Sequence, residues 1–111
     1  MKVYSGIREK SGNIVTVTSD GVSSALNPRL DLRNHSPTGL EWGYGGSGPA
    51  QLALAILADH LSDPALAQNL YQDFKFNVVA RLTSDQWLLS SNDVENALQE
   101  IRAKNIEVES T

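Results

Sequence analysis

The chain contains no cysteine among its 111 residues. That excludes disulfide scaffolds, thiolate nucleophiles, thiolate zinc sites and iron–sulfur clusters, and leaves hydroxyl, carboxylate, amine and imidazole chemistry. Long apolar runs are also missing. No stretch approaches the roughly 20 residues that span a bilayer, and the start Met-Lys-Val-Tyr-Ser-Gly lacks the apolar segment of a signal peptide. No membrane association is expected, and the expected location is cytoplasmic. Basic charge is scarce too: nine Lys and Arg stand against thirteen Asp and Glu, a net charge of −4. A nucleic-acid backbone binder would normally show a basic stripe, so the balance argues against that class. The acids are scattered rather than run together, which gives a DNA mimic little support.

What is present reads as one domain over 1–111, because 41% apolar and 20% charged residues are near globular averages. Residues 2–7 and 13–19 are expected to pair as a hairpin. The second segment alternates Val15 and Val17 with Thr16 and Thr18, the pattern of a strand with one wet face. Residues 20–39 are rich in turn formers, with Leu26, Leu30 and Leu32 as pins to the core and Arg29 to Arg33 as a candidate edge strand. A further short strand is expected over 39–42. Pro49 then suits the first position of a helix to about His60 whose residues are apolar at every angle, so that it must be buried. Asp63 and Pro64 signal a second helix to about Ala80, with Leu66, Leu70, Phe74 and Val78 as its stripe. A short strand at Trp87 to Leu89 and a helix from Ser91 or Asn92 to about Lys104, stopped by Asn105, complete the chain. The expected class is α+β: a small, largely antiparallel sheet packed against about three helices, the 49–60 helix at the centre.

Half of the eight glycines fall in the loop of residues 43–48, directly before the buried helix. Such a loop offers unobstructed backbone amides and the positive end of a helix dipole, which together attract phosphates and carboxylates. The amides of Gly45, Gly46, Ser47 and Gly48 are the candidate donors, and Arg29, Arg33 and His35 are the side chains that could complete an anion site. The named motifs do not fit. There is no Gly-Lys-Ser/Thr ending, no G-x-G-x-x-G before a further βαβ unit, and Pro49 spoils G-x-S-x-G around Ser47. A plainer role is that the glycines let the backbone pass closely over the buried helix, with Trp42 and Tyr44 packed on the core. A third is protein recognition through Trp42 and Tyr44. His35 and His60, with Glu41, Asp59 or Asp63, show no spacing of a metal set, so no metal, no cofactor and no catalytic residue is assigned.

The blocks Ser36 to Leu57, Tyr71 to Leu82 and Trp87 to Leu98, with the opening Val3 to Glu9, resemble the domain-of-unknown-function family numbered 6166. Trp42-Gly43-Tyr44-Gly45-Gly46-Ser47-Gly48-Pro49-Ala50-Gln51-Leu52 is the most specific part of the likeness. The resemblance implies a small bacterial protein of the kind found on phages, plasmids and other mobile elements, and brings no catalytic or binding residues with it. It favours a small interaction protein, including one that modulates a host protein.

Two functions follow from the residues. The preferred one is a non-enzymatic interaction module whose surface for a protein partner includes the loop around Trp42 to Gly48 and the irregular 20–39 segment, which requires an exposed aromatic or apolar patch. The alternative is a binder of a small phosphate- or carboxylate-containing ligand at residues 43–48, which requires a pocket at the helix start with an arginine pointing into it. Oligomeric state stays open.

Overall fold

A computed structural model describes residues 2–36 and 39–110, with 105–110 described by their backbone alone. Its elements run β1 (Lys2–Glu9), β2 (Gly12–Ser19), β3 (Val22–Ala25), α1 (Ser47–Leu61), α2 (Pro64–Asn77), β4 (Gln86–Ser90) and α3 (Ser91–Ser110), with a single 3₁₀ turn at Val79–Arg81. The four strands form one sheet in the order β3-β2-β1-β4. Every neighbouring pair is antiparallel, so the architecture is α+β as expected.

The β1–β2 hairpin places Tyr4 opposite Val17 and Gly6 opposite Val15, while β4 places Leu89 and Trp87 beside the same two residues of β1. Because side chains alternate along a strand, this register puts Tyr4, Val15 and Trp87 on one face, where all three are buried. Helix α1 meets that face through the Tyr4 Oη bond to Asp59, α3 packs against β4 and β1, and α2 packs on α1 and α3. Helix α1 is buried continuously from Gly48 to Ala58, and each fully enclosed leucine within it contributes about 1.5–3 kcal/mol of apolar transfer.

The caps follow from the residues present. Ser62 takes a left-handed conformation and its N–H returns to Ala58 O, closing α1. Asp63 Oδ1 accepts the Leu66 N–H at 3.1 Å and Pro64 opens α2. At α3, Ser90 and Asp93 bond reciprocally, Asp93 N–H to Ser90 Oγ at 3.1 Å and Ser90 N–H to Asp93 Oδ2 at 2.9 Å, a capping box one residue before the expected cap.

Four local expectations are corrected. The third strand is Val22–Ala25, not 39–42. Residues 39–42 have no ladder; the Leu40 carbonyl instead accepts from Asn13 and the Trp42 carbonyl from Arg8. Residues 29–33 are no edge strand, because Arg29 adopts a φ of 58° and its carbonyl closes a turn on Leu32 N–H. Helix α2 stops at Asn77 rather than near Ala80, and the Val79 carbonyl accepts a bond from the Gly43 N–H at 3.0 Å. Helix α3 continues through Asn105 to Ser110, since neither glycine nor proline follows Asn105 to end it.

Candidate functional site

The glycine loop is anchored at its first residues and open at its middle. Trp42 is completely enclosed. Its Nε1 donates to Ser84 O at 2.9 Å and its ring meets Trp87 edge-on, with centroids 5.6 Å apart. This corrects the expectation that Trp42 belongs to an interaction surface: an indole satisfied in this way is core. Gly43 follows at a φ of 89°, with Leu82 O 3.0 Å from where a Cβ would stand, so only glycine fits.

Arg8 fixes the loop to the sheet. Its Nη2 donates to Glu41 Oε1 at 2.7 Å and to Trp42 O at 3.0 Å, its Nη1 donates to Asp85 Oδ1 at 3.1 Å, and its guanidinium lies over the Trp42 ring. Burial alone would raise the Glu41 carboxyl, but hydrogen bonds from Arg8, Asn13 and the Trp42 N–H outweigh it and hold Glu41 below its ordinary value.

Past this anchor two aromatic rings stand in solvent. Tyr44 is 51% exposed and Phe76, from the last turn of α2, is 57% exposed. Both rest on glycine backbone. A Cβ on Gly46 would lie 2.4 Å from the Tyr44 ring, and one on Gly45 would lie 3.2 Å from the Phe76 ring. The Lys75 ammonium sits 4.2 Å from the centre of the Phe76 ring. Gly48 completes the arrangement, because a Cβ there would meet Glu41 Cβ at 2.6 Å. The glycines therefore serve as seats for side chains and for the helix start.

Beside the loop lies an open, polar groove of about 620 Å³, bounded by Ser11, Asn13, Ser36, Glu41, Tyr44 and Ser47 among others. It holds a carboxylate and no arginine. Arg29 instead binds Asp31 through Nε and Nη2, at 3.1 Å each, and lines a separate cavity with Lys2, Asp59 and Ser62, at the other end of α1. Arg33 Nε donates to Gln68 Oε1 at 3.2 Å. His35 Nε2 shares a 2.7 Å hydrogen bond with Tyr71 Oη. The expected convergence of Arg29, Arg33 and His35 on Gly45 to Gly48 is thus corrected: Asp31 in the same segment holds Arg29, while Gln68 and Tyr71 of α2 hold Arg33 and His35. Ser47 and Gly48 do border the groove, and α1 starts with neither a side-chain cap nor an acid in its first turn.

His60 pairs with Glu95 at 2.9 Å, and among the described residues no three His, Asp or Glu side chains group as metal ligands. The arrangement can present apolar rings and hydrogen-bonding groups to a surface.

Sequence reasoning missed Phe76, Lys75 and Arg8. Phe76 had a signal, since it lies off the helical stripe of Leu66, Leu70 and Phe74 and an aromatic residue off the stripe must face water. Arg8 had none; its role depends on which strand the loop crosses.

The family of unknown function (DUF6166) matches residues 4–100, which includes the glycine loop, both exposed rings and the Arg8 anchor. The chain belongs to this family. No curated protein and no solved structure matches it. Among the described residues no helix is long and apolar enough to cross a membrane.

Proposed function

We propose that this family member is a non-enzymatic recognition module that grips a protein partner with Tyr44 and Phe76. The observation that carries the reading is the seating of two half-exposed rings on the backbone of Gly46 and Gly45. Aromatic side chains dominate protein interfaces, and rings already held in place lose little freedom on binding. The polar groove beside Tyr44 supplies hydrogen-bonding groups for the rim of such a contact. A module of this size, working as one domain in the cytoplasm, suits a mobile-element protein that acts by binding a host protein.

Binding of a phosphate or carboxylate ligand at residues 43–48 has one feature in its favour, the uncapped start of α1. The Glu41 carboxylate and the distant arginines oppose it.

The test compares capture from bacterial lysate by the wild-type chain and by the Tyr44→Ala/Phe76→Ala variant. Both side chains are half exposed, so the variant should melt as the wild type does. Loss of two interface anchors at about 2 kcal/mol each corresponds to roughly a thousandfold weaker binding. A partner retained in full by the double variant would sink this surface, and a phosphate-induced rise in melting temperature would revive the ligand reading.

A further inference from the structure

Helices α1 and α3 lie against one face of the sheet, and the register fixes what lies on the other: Val3, Ile7, Ile14 and Leu88, with Thr16 and Thr18 between them. Ile7 is 38%, Ile14 45% and Leu88 71% exposed. Ile7 stands directly opposite Ile14, and Leu88 opposite Ser5. The strand residues of this face include one charge, Glu9, at the far end of β1.

Its hydroxyl groups are bonded to one another rather than left for water. Ser5 Oγ lies 2.7 Å from Thr16 Oγ1, and Thr18 Oγ1 lies 2.6 Å from Ser23 Oγ. Covering a hydroxyl costs free energy chiefly when its partner was solvent, so a face whose hydroxyls satisfy each other is inexpensive to dry. Between β1 and β4 the surface also dips into a shallow groove of about 440 Å³ beside the protruding Leu88. Knob and hollow are side by side on one patch, as self-complementary contact requires.

We propose that this uncovered face is a contact between two copies of the chain, packed sheet on sheet about a two-fold axis. The charge pattern selects a second copy. A chain of net charge −4 repels itself over most of its surface, but here it offers an almost uncharged patch, so like meets like without penalty. The area sets the strength. Strands of eight, eight, four and five residues cover a footprint of roughly 400 Å² at about 3.3 Å per residue and about 4.8 Å between strands. With side-chain relief, a pair would bury roughly 1,000–1,200 Å², the small end of specific interfaces. The dimer is therefore weak, with a dissociation constant on the order of 10–100 µM.

Sedimentation velocity of the full chain from about 1 to about 500 µM reads this directly, since that range brackets the expected constant. The expected result is a monomer–dimer equilibrium that high salt does not weaken. Leu88→Lys, at an exposed position that tolerates the change, should leave the protein monomeric throughout with an unchanged melting temperature. Tyr44→Ala/Phe76→Ala should dimerise as the wild type does, which separates this inference from the recognition surface at the glycine loop. A monomer at every concentration overturns the proposal, including the case in which Leu88→Lys loses a different protein partner. A dimer that persists in both Leu88→Lys and Ile14→Lys overturns it as well, and would point to pairing along the exposed edge of β3.

Discussion

The guanidinium carbon of Arg8 lies 4.5 Å from the centre of the Trp42 ring, while the same side chain donates to the Trp42 carbonyl at 3.0 Å. One residue of β1 thus fixes both the ring and the backbone from which the glycine loop departs. The loop's exposed Tyr44 ring is displayed from an anchored base, which is what a preformed recognition surface needs.

Arg8→Lys keeps the charge and removes the planar fork, and an ammonium cannot reach Glu41, Asp85 and the Trp42 carbonyl together while covering the indole. We expect a stability loss of about 1–2 kcal/mol in urea denaturation. An unchanged midpoint would show that the anchor lies elsewhere.

The Glu41 carboxyl is held below its ordinary value, which gives stability a defined dependence on pH. A lowered folded-state value means that the contribution is fully present above the unfolded value of about 4.3 and is lost as pH falls through the folded one. Glu41→Gln does not titrate. The melting-temperature advantage of the wild type over this variant should therefore be constant near neutrality and shrink on acidification below about pH 4.3. Asp31, held low by its hydrogen bonds to Arg29, titrates in both proteins and drops out of the comparison.

Gln51 is a polar residue in the buried stretch of α1, and its exposure is 0%. Its Oε1 accepts from the N–H groups of His35 at 2.8 Å and Ser36 at 3.3 Å, and its Nε2 donates to Pro28 O at 2.6 Å and Arg33 O at 3.0 Å. A single side chain therefore orders the irregular segment after β3. Gln51→Leu leaves those backbone groups without a partner and should cost about 2–4 kcal/mol. Hydrogen exchange should accelerate at the His35 and Ser36 amides more than in the sheet. Uniform exchange would refute the assignment.

Against the sequence, the elements with strong local signals are the ones that emerge as read: the hairpin, the apolar helix, and the proline-led start of α2. β3 was also legible in principle. Asp20 and Gly21 have φ values of 53° and 80°, the two left-handed residues of a tight hairpin turn that Asp-Gly favours, yet the surrounding serines obscure the strand. The end of α2 was not legible, because it depends on a bond between Val79 and Gly43, 36 positions earlier in the chain. The site divides in the same way. Glycines over a buried helix were readable, whereas the division of the two aromatics into an enclosed Trp42 and an exposed Tyr44, and the separation of Arg29 from the loop, are set by packing between distant segments.

Trp87 packs flat against Gly6, and a Cβ on Gly6 would lie 2.3 Å from Trp87 Nε1. That nitrogen is buried and bonds to nothing among the described residues, and the ring is held in turn by Trp42. Gly6→Ala should destabilise by about 2–3 kcal/mol, since neither ring can retreat. In the background of Trp87→Leu the same change should cost much less, a coupling of about 1–2 kcal/mol in a double-mutant cycle. Additive effects would mean that Gly6 is required for its backbone conformation rather than for the indole.

Gly46→Ala separates stability from display. The Gly46 φ of −105° suits any residue, so the backbone accepts alanine without strain. The new methyl would overlap the Tyr44 ring, whose Cε2 lies 2.4 Å from that position, but the ring is half exposed and can swing into solvent. The stability cost should therefore stay below about 1 kcal/mol. Binding should fall nearly as far as in Tyr44→Ala, because a ring that has lost its seat must be reordered each time a partner arrives. Isothermal titration with a captured partner would show the loss as a less favourable entropy. Wild-type affinity in Gly46→Ala, alongside weakened binding in Tyr44→Ala, would mean that the ring acts without its seat.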